Sequence, residues 1–369
     1  MPPKIIHIVG ARPNFMKLAP LQKNIANCGY FEQKIIHTGQ HYDVRMSDVF
    51  FEELQISSPD YHLGVGSGSH TEQTAKIMLA LEPILKQEQP DCVLVYGDVN
   101  STLAATLVCT KMRLRIAHVE AGLRSFDNSM PEEINRILTD RVSDMLFTPS
   151  EDANENLLRE GISQEKIYLV GNIMIDSLFV ALEIIEKEAQ KVQKSNQWIE
   201  KFGKKGYILS TVHRPSNVDN KDELFKLFQM LNQISATTPI ILPIHPRTYK
   251  QLQENLSDIS LNTNLQIIEP LGYLDFVNLQ KNALCILTDS GGIQEESSVL
   301  QVPCFTLRPN TERPITIEQG TNTLIGNQFD LLLEKINEIL KGKKKKGKNI
   351  PLWDGKTSQR IIEILQKTI

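Results

Sequence analysis

The chain contains little cysteine, and the way it is spaced argues against two classes of protein. Five cysteines occur in 369 residues, they lie far apart in mostly apolar runs, and no two form a C-x-x-C pair. Neither a disulfide framework nor a zinc site is predicted from this spacing. We expect buried structural thiols and no bound metal.

The sequence also lacks a basic excess and a long apolar run. Its 40 basic and 44 acidic side chains leave a net charge of -4, whereas nucleic-acid-binding proteins usually carry a strong positive balance. No apolar stretch reaches the ~18 residues that a membrane span needs, and no signal-peptide pattern opens the chain. We expect a cytoplasmic protein without nucleic-acid or membrane partners, in which a local cluster of cations can still bind a small anion.

What the sequence has is a globular composition and a length that suits two domains. Short apolar runs alternate with helical patterns, such as residues 15–27 and 71–87, which predicts an α/β fold with parallel sheets covered by helices. The predicted strands are residues 5–9, 34–37, 92–96, 115–119 and 145–147, and then 207–212, 240–244, 266–268, 285–288 and 304–307.

The alternation breaks after Val170-Gly171-Asn172 and restarts beyond a long helical stretch over about residues 175–202. We therefore predict an N-terminal Rossmann-like domain over residues 1–172 and a C-terminal one over residues 173–355. The last segment, residues 356–369, is predicted to be a helix that packs back on the first domain.

Two segments look like binding motifs but are predicted to be loops. The lysine-rich run at residues 341–348 follows a predicted helix end, where cations suit the helix dipole, so a solvated loop is expected. The glycine-rich residues 64–68 do not follow the first strand, as a dinucleotide loop would, and a flexible loop is expected.

Charged side chains follow the predicted strands of the first half. Arg12 and Lys17 come after the first strand, on the sheet edge where ligands bind in doubly wound folds. Asp98 and Glu120 follow two later strands, and Glu132 opens a helix. Each acid alone has a structural explanation, for example a surface pair of Glu132 with the arginine four residues on. Three acids on one edge predict a proton-transfer set.

The second half contains a strand followed by glycines and a helix, in Thr288-Asp289-Ser290-Gly291-Gly292. Glycines let backbone N–H groups approach a ligand closely, and a helix N-terminus attracts phosphate. A tight turn explains the same residues equally well. Together with His213 and Arg313, which follow other strands, they indicate a diphosphate held between facing domains.

A series of motifs follows in order along the chain and carries a family resemblance. They are Gly10-Ala11-Arg12-Pro13 with Lys17, His37-Thr38-Gly39-Gln40-His41, Gly97-Asp98, His118-Val119-Glu120-Ala121-Gly122-Leu123-Arg124, Pro131-Glu132-Glu133, His213-Arg214, Asp289-Ser290-Gly291-Gly292-Ile293-Gln294-Glu295-Glu296 and Thr311-Glu312-Arg313-Pro314. Over nearly its whole length the chain resembles the non-hydrolysing UDP-N-acetylglucosamine 2-epimerases.

The resemblance implies the glycosyltransferase-B architecture, two Rossmann-like doubly wound domains that face a cleft. It also implies reversible conversion of UDP-N-acetylglucosamine to UDP-N-acetylmannosamine by elimination and re-addition of UDP, which supplies precursors of surface polysaccharides. A homodimer without metal or redox cofactor is implied as well. The implied catalytic residues are Lys17, Asp98, Glu120, Glu132, His213 and Arg313. The implied UDP-binding residues are Arg12, His213, Ser290, Gly291, Gly292 and Glu296, the last at the ribose hydroxyls.

The chain departs from the family pattern at three places. Ile315-Thr316 stands where a glutamate is common, and Pro215-Ser216-Asn217 replaces an Arg-Glu pattern. Asp43 and Ser69-His70 differ from residues that bind a second, activating UDP-sugar in many bacterial members. The sequence therefore leaves such activation open.

Several alternative functions remain. The first half also resembles 2-epimerases of a UDP-diacetamido uronic acid, so the substituents of the sugar stay open. A hydrolysing epimerase carries Gly-Asp-Arg and Glu-Gly-Gly-Glu where this chain has Gly97-Asp98-Val99 and Glu120-Ala121-Gly122-Leu123. A glycosyltransferase shares the architecture. A non-catalytic UDP-sugar sensor would have no need for the three acids.

Overall fold

The structure is a computed structural model that describes most of the chain, namely residues 2–40, 51, 53–255 and 260–369. Two residues named above, His41 and Asp43, lie outside the described residues. The chain divides into two compact units, each built around a parallel sheet.

The division between the units falls within a helix. The first unit comprises Met1–Val180 and Pro351–Ile369, and the second comprises Ala181–Ile350. The sequence analysis placed the division after residue 172. The next helix, Ile173–Lys187, begins in the first unit, because its Ser177 hydroxyl donates a hydrogen bond to the Met16 carbonyl.

The sheet of the first unit contains seven strands, and every pairing is parallel. They are β1 Lys4–Val9, β2 Glu32–His37, β3 Tyr61–His62, β4 Cys92–Tyr96, β5 Ile116–Val119, β6 Met145–Thr148 and β7 Ile167–Leu169. Their order in the sheet is β3-β2-β1-β4-β5-β6-β7. Every residue of β4 and β5 is buried, as expected for central strands covered by helices on both faces.

In the N-terminal segment of this unit, six α-helices have bounds within the described residues. They are α1 Arg12–Cys28, α2 His70–Glu88, α3 Asn100–Met112, α4 Pro131–Val142, α5 Glu151–Arg159 and α6 Ile173–Lys187. Local sequence sets the ends of α1 and α2. Pro13 fits the first turn of α1, Gly29 ends it with a φ of 62°, and the Ser69 hydroxyl accepts the Glu72 N–H at the start of α2.

A buried carboxylate ties α2 to three strands. Glu88, at the end of α2, accepts a hydrogen bond from Tyr61 of β3, from Lys34 of β2 at 2.9 Å and from Lys4 of β1 at 3.1 Å. The bonds from Tyr61 and Lys34, with that from Lys4, outweigh the effect of burial and lower the pKa of Glu88 to about 2. This side chain links one edge of the sheet to a helix that covers it.

The sheet of the second unit contains six strands, again with parallel pairings only. They are β8 Ile208–Thr211, β9 Ile240–Pro243, β10 Leu265–Ile268, β11 Cys285–Thr288, β12 Cys304–Thr306 and β13 Asn322–Leu324, in the order β10-β9-β8-β11-β12-β13. The helices are α7 Gln193–Phe202, α8 Pro215–Val218, α9 Lys221–Ser235, α10 Pro246–Asn255, α11 Tyr273–Asn282, α12 Gly291–Val299, α13 Pro314–Glu318 and α14 Phe329–Leu340. Two Rossmann-like sheets confirm the predicted α/β fold class.

The helical stretch predicted over about residues 175–202 is helical in the structure but divided. The structure has two α-helices, α6 and α7, separated by a 3₁₀ turn at Ala189–Val192. The start of α7 is fixed from a distance, because the Asp275 carboxylate of α11 accepts the Ser195 N–H at 2.8 Å. The buried Val192 precedes this cap.

The last helix, α15 at Thr357–Thr368, lies in the first unit. The Asp176 carboxylate of α6 accepts the backbone N–H groups of Thr357 at 3.0 Å and Ser358 at 2.8 Å. The Asn24 amide of α1 donates to the Ser358 hydroxyl at 2.6 Å. These bonds fix α15 against two helices of the N-terminal segment.

No helix of the described residues combines the length and apolar character needed to cross a bilayer. Three of the four shortest strands, β3, β7 and β13, were not predicted. The fourth, β12, was predicted within residues 304–307. Residues 64–68 form an irregular loop, as predicted.

Candidate active site

The residues singled out in the sequence lie around the point where each sheet reverses its strand order. In the first sheet that point is between β1 and β4, and in the second it is between β8 and β11. Loops diverge at such a switch point and leave a crevice at the carboxyl ends of the strands, where doubly wound folds bind ligands. Each unit therefore presents one candidate group of side chains.

The loop after β1 is tightly packed. A Cβ atom at Gly10 would lie 2.1 Å from the Ser101 hydroxyl oxygen, so only glycine fits. The Asn14 amide oxygen accepts the Gly10 N–H at 3.1 Å and so shapes the turn into α1. Arg12, predicted to contact UDP, is half-buried at the first position of α1. Its role stays a prediction.

Lys17 and Glu120 meet in a buried ion pair, Nζ to Oε2, with side chains only 5% and 4% exposed. Glu120 adopts a left-handed backbone with a φ of 76° directly after β5. Gly97, after β4, lies against the pair: a Cβ there would be 2.8 Å from the Lys17 Nζ and 3.2 Å from the Glu120 Oε2. The structure therefore brings together two predicted catalytic residues beside the residue that precedes Asp98.

Asp98 is held by a buried arginine. Arg136 of α4 donates from Nε at 3.0 Å and from Nη2 at 2.7 Å to one Asp98 carboxylate oxygen. A third nitrogen of Arg136 pairs with the buried Glu133. The Glu133 carboxylate also accepts the N–H groups of Ser125 and Phe126 at 2.9 Å each, which anchors the loop before α4. This network orients Asp98, and the sequence analysis did not foresee it.

Glu132 lies in the first turn of α4 and is half-buried. The surface pair of Glu132 with Arg136 that the spacing allowed is not formed, because Arg136 turns inward to Asp98 and Glu133. Among the described residues, Glu132 forms no hydrogen bond or ion pair. Such a carboxyl group can exchange a proton without first breaking a bond.

In the second unit, the start of α12 is shaped by a glycine and an arginine. Ser290 is the N-cap residue, and Gly291 opens the helix. A Cβ at Gly291 would lie 2.4 Å from Nη1 of Arg313, so the glycine lets this guanidinium reach the helix N-terminus. The first N–H groups of a helix lack partners within it. The α12 N-terminus, with the Arg313 guanidinium beside it, thus supplies N–H donors of the kind that bind phosphate.

Arg313 belongs to a buried cluster of guanidinium and carboxylate groups. Its Nε lies 2.7 Å from Glu295, its Nη1 lies 3.0 Å from Glu312, and Glu312 also binds Arg308 at 2.9 Å. Burial lowers the pKa of Arg308, although the Glu312 charge opposes this. Arg214 approaches Glu312 at 3.9 Å. The carboxylates fix the arginines in place, and the sequence analysis assigned them no role.

His213 is oriented by a buried aspartate. Its Nδ1 lies 2.9 Å from one oxygen of Asp289, whose other oxygen accepts the N–H groups of His213 at 2.9 Å and Arg214 at 2.8 Å. Burial raises the pKa of Asp289, but the bonds and charge of His213 and the backbone N–H groups lower it overall. The His213 side chain is 36% exposed. With Nδ1 bonded, its Nε2 is the ring nitrogen left for a ligand.

Glu296, predicted to bind the ribose, is buried within α12. Its carboxylate accepts a hydrogen bond from the Tyr273 hydroxyl at 2.9 Å and from the Gln280 amide at 2.6 Å. Burial raises the pKa of Glu296 despite these bonds. Each carboxylate oxygen can accept a further bond, so a role at ribose hydroxyls stays a prediction.

Two departures from the family pattern support neighbouring residues. Asn217 donates to Asp289 at 3.0 Å and to the Leu307 carbonyl at 3.0 Å, and so helps to fix the residue that orients His213. Thr316 donates to the Arg313 carbonyl at 2.8 Å. Asn217 and Thr316, which depart from the family pattern, thus contact residues that hold or belong to the predicted site.

A separate groove of about 440 Å³ lies along β13 and α14, away from these strand ends. Exposed lysines of the 341–348 run line it, and that run is irregular as predicted. Lys345 is not simply solvated, because its ammonium donates to the Asn322 carbonyl at 2.6 Å. No group of three or more metal-ligating side chains comes together in the described part of the chain.

Comparison with known proteins identifies the class to which this fold and these strand-end groups belong, enzymes that act on nucleotide sugars. The family model described as UDP-N-acetylglucosamine 2-epimerase matches residues 23–366. The chain belongs to this family, which confirms the resemblance seen in the sequence.

The relatives cover the chain almost end to end. A UDP-N-acetylglucosamine 2-epimerase of Methanocaldococcus jannaschii is 47% identical over 366 residues, 98% of each chain. A UDP-2,3-diacetamido-2,3-dideoxy-D-glucuronate 2-epimerase of Pseudomonas aeruginosa is 40% identical over 99% of each chain. The crystal structure of an M. jannaschii UDP-GlcNAc 2-epimerase with UDP-GlcNAc and UDP matches with a TM-score of 0.90 and 46% identity, over 99% of both chains.

Proposed function

We propose that this protein reversibly epimerises carbon 2 of UDP-N-acetylglucosamine, giving UDP-N-acetylmannosamine. Family membership and the 47% identical relative support the reaction class and the substrate. The observation that carries the proposal is the group formed by Lys17, Glu120 and Asp98 around Gly97. Two carboxylates and an ammonium at one sheet edge supply what a proton transfer at a sugar carbon needs.

The proposed reaction proceeds in two stages. A carboxylate removes the proton at carbon 2, the C1–O bond to UDP breaks, and its electron pair leaves with UDP while a C1=C2 double bond forms. A protonated carboxyl group then returns a proton to the opposite face of carbon 2, and a UDP oxygen re-forms the bond to carbon 1. We assign the proton transfers to Asp98, Glu120 and Glu132, with Lys17 stabilising charge.

Departure of UDP is the step that makes the carbon 2 proton removable, since this proton is poorly acidic by itself. Cations and N–H groups that stabilise charge growing on the diphosphate therefore lower the barrier. We assign this role to Arg313, His213, Ser290 and the glycines at the α12 N-terminus. Arg12 is also assigned to UDP, and Glu296 is assigned to the ribose. No redox cofactor has a part in this scheme.

A second candidate function is 2-epimerisation of a UDP-diacetamido uronic acid. The 40% identical P. aeruginosa relative favours it. The chemistry at carbons 1 and 2 is the same, and only the substituents at other ring positions differ. Incubation with each UDP-sugar separately, followed by NMR of the products, separates the two candidates.

The deciding experiment is incubation of the purified protein with UDP-N-acetylglucosamine in deuterated water. We expect both the recovered substrate and its epimer to carry deuterium at carbon 2, with UDP still attached. Free N-acetylmannosamine would instead indicate a hydrolysing enzyme. An epimer that keeps its original hydrogen in full would contradict the proton-transfer mechanism, and binding without any product would indicate a sensor.

The predicted homodimer and cytoplasmic location stay predictions. Both suit an enzyme that supplies surface-polysaccharide precursors from a nucleotide sugar. Light scattering coupled to size-exclusion chromatography measures the assembly directly, and a mass of twice 41.8 kDa is expected for the dimer.

A further inference from the structure

His118 is a fully buried histidine of β5 with both ring nitrogens engaged. Its Nδ1 lies 2.6 Å from a carboxylate oxygen of Asp140 in α4. Its Nε2 lies 2.7 Å from the carbonyl oxygen of Gly97, the residue before Asp98. The proposed function assigns His118 no role, yet it contacts the turn that carries one of the proposed acids.

The partners of His118 determine its protonation. The Gly97 carbonyl oxygen can only accept, so Nε2 must carry a proton. On the other side, Asp140 accepts the Gly122 N–H at 3.1 Å and pairs with Arg124 at 2.8 Å. The Arg124 guanidinium and the Gly122 N–H both favour the ionised form of Asp140, independently of His118. An ionised Asp140 also only accepts, so Nδ1 carries a proton as well.

Charge balance makes a buried imidazolium tolerable at this position. Arg124 also binds Glu160 through two parallel bonds of 2.7 Å each. Two cations, His118 and Arg124, thus face two carboxylates, Asp140 and Glu160. Buried charges are stable only when they are paired and hydrogen-bonded, and this set meets both conditions.

The Gly97 peptide is held from several directions. Its N–H donates to the Val119 carbonyl at 3.0 Å, and its carbonyl accepts from His118. Its Cα faces Lys17 and Glu120, where a Cβ would lie 2.8 Å from the Lys17 Nζ. The His118 bond therefore helps to set the orientation of the next residue, Asp98, relative to Glu120, together with the bonds from Arg136 to the Asp98 carboxylate.

We propose that His118 is a positioning residue, held as an imidazolium, that orients the Gly97–Asp98 turn for proton transfer. Its catalytic consequence rests on the proposed function, whereas its protonation does not. The two parts are therefore tested by separate measurements.

NMR with ¹⁵N-labelled histidine tests the protonation. His7, also fully buried, is the internal contrast, because burial lowers its pKa to about 4. Because both ring nitrogens of His118 face acceptors, we expect this residue to show two protonated nitrogens at neutral pH, while His7 is neutral. Asp140→Asn should abolish the imidazolium signal and thereby assign it. A neutral ring at His118 in the wild-type protein would overturn the proposal.

Kinetics test the positioning. In His118→Gln a single amide nitrogen replaces two ring nitrogens, so the side chain cannot donate to both Asp140 and the Gly97 carbonyl. We therefore expect kcat to fall about 10- to 100-fold. UDP affinity should stay unchanged. His7→Gln, at a buried histidine bonded to Tyr96 at 2.6 Å, is the matched control and should keep its kcat.

Three outcomes separate the ideas. Equal kcat in the wild type, His118→Gln and His7→Gln would overturn the positioning role. Should His118→Gln fail to fold, His118→Asn, whose shorter side chain also cannot bond to both Asp140 and Gly97, replaces it, and an unchanged kcat in that variant would do the same. A wild-type protein without epimerase activity that still shows the imidazolium would contradict the proposed function and leave the protonation of His118 supported.

Discussion

Substitution of Gly97 by alanine tests the central geometry of the proposed site. Gly97 has a φ of 59°, a conformation that costs a residue with a Cβ about 1–2 kcal/mol. Alanine also lowers the conformational entropy of the unfolded chain, which offsets about 0.4–1 kcal/mol of this cost. The backbone alone therefore predicts a loss of about 1 kcal/mol in the free energy of unfolding.

The second effect at Gly97 is steric. The new Cβ would lie 2.8 Å from the Lys17 Nζ, whereas ordinary van der Waals contacts begin at 3.4 Å. The ammonium must therefore retreat by the difference, 0.6 Å, and Glu120, its ion-pair partner, is 3.2 Å from the same Cβ. Misplacement of catalytic groups on this scale lowers turnover, and we expect a fall of about 10- to 100-fold in kcat.

Gly29→Ala is the matched control. Gly29 has a φ of 62°, close to that of Gly97, but a Cβ there meets no atom within 4 Å. Both variants should lose similar stability in urea unfolding, and only Gly97→Ala should lose epimerase activity, measured by NMR under saturating substrate. UDP affinity by calorimetry should be unchanged in both. Full activity in a folded Gly97→Ala protein would refute the arrangement of Lys17 and Glu120 around this residue.

Three further predictions address the acids, the UDP site and pH. The variants Asp98→Asn, Glu120→Gln and Glu132→Gln remove the ability of each acid to transfer a proton. We expect kcat to fall about 10²-fold or more in at least two of them, while UDP affinity stays within a few-fold. Near wild-type rates in all three variants would show that these acids are structural. Ser290→Ala and Glu296→Ala should weaken UDP binding, by about 1.5–3 kcal/mol for the charged contact, and unchanged calorimetric affinity in both would remove the site. Because its pKa is depressed to about 2, Glu88 contributes stability that is complete above its unfolded pKa of about 4.3 and is lost as pH falls through the folded value. The stability of Glu88→Gln should therefore depend less on pH between about 4.3 and 2, and a pH dependence identical to that of the wild type would contradict this.

The strands that matter for the site were predictable because they are central and buried. The runs at β1, β4, β8 and β11 are apolar and flanked by glycine or acids, so pattern alone locates them and the residues that follow. The same logic fails for β13, whose three residues, Asn-Thr-Leu, include only one apolar side chain. This strand is defined by its pairing with β12, which no local pattern encodes.

The networks behind the predicted residues could not be read from the chain. Arg136 has Glu132 four residues before it and Glu133 three before it, and both spacings suit a helical pair. Because Arg136 is buried, its guanidinium pairs with Glu133 and also with Asp98, which lies 38 residues away. Likewise, the cap of α7 comes from Asp275, 80 residues beyond Ser195. Long-range polar contacts of this kind depend on the packed fold and not on the local sequence.

The choice between the two candidate sugars is independent of the acid residues. Elimination of UDP needs only a hydrogen at carbon 2 and UDP at carbon 1, and both candidates have these. The relatives named for the two sugars are 47% and 40% identical to this chain, both over nearly its full length. Discrimination must therefore come from residues that face the substituents at other ring carbons, outside the group of Lys17, Asp98 and Glu120. It follows that a failure to accept one of the two sugars would leave the proton-transfer assignment intact, whereas retained exchange at carbon 2 in the acid variants would not.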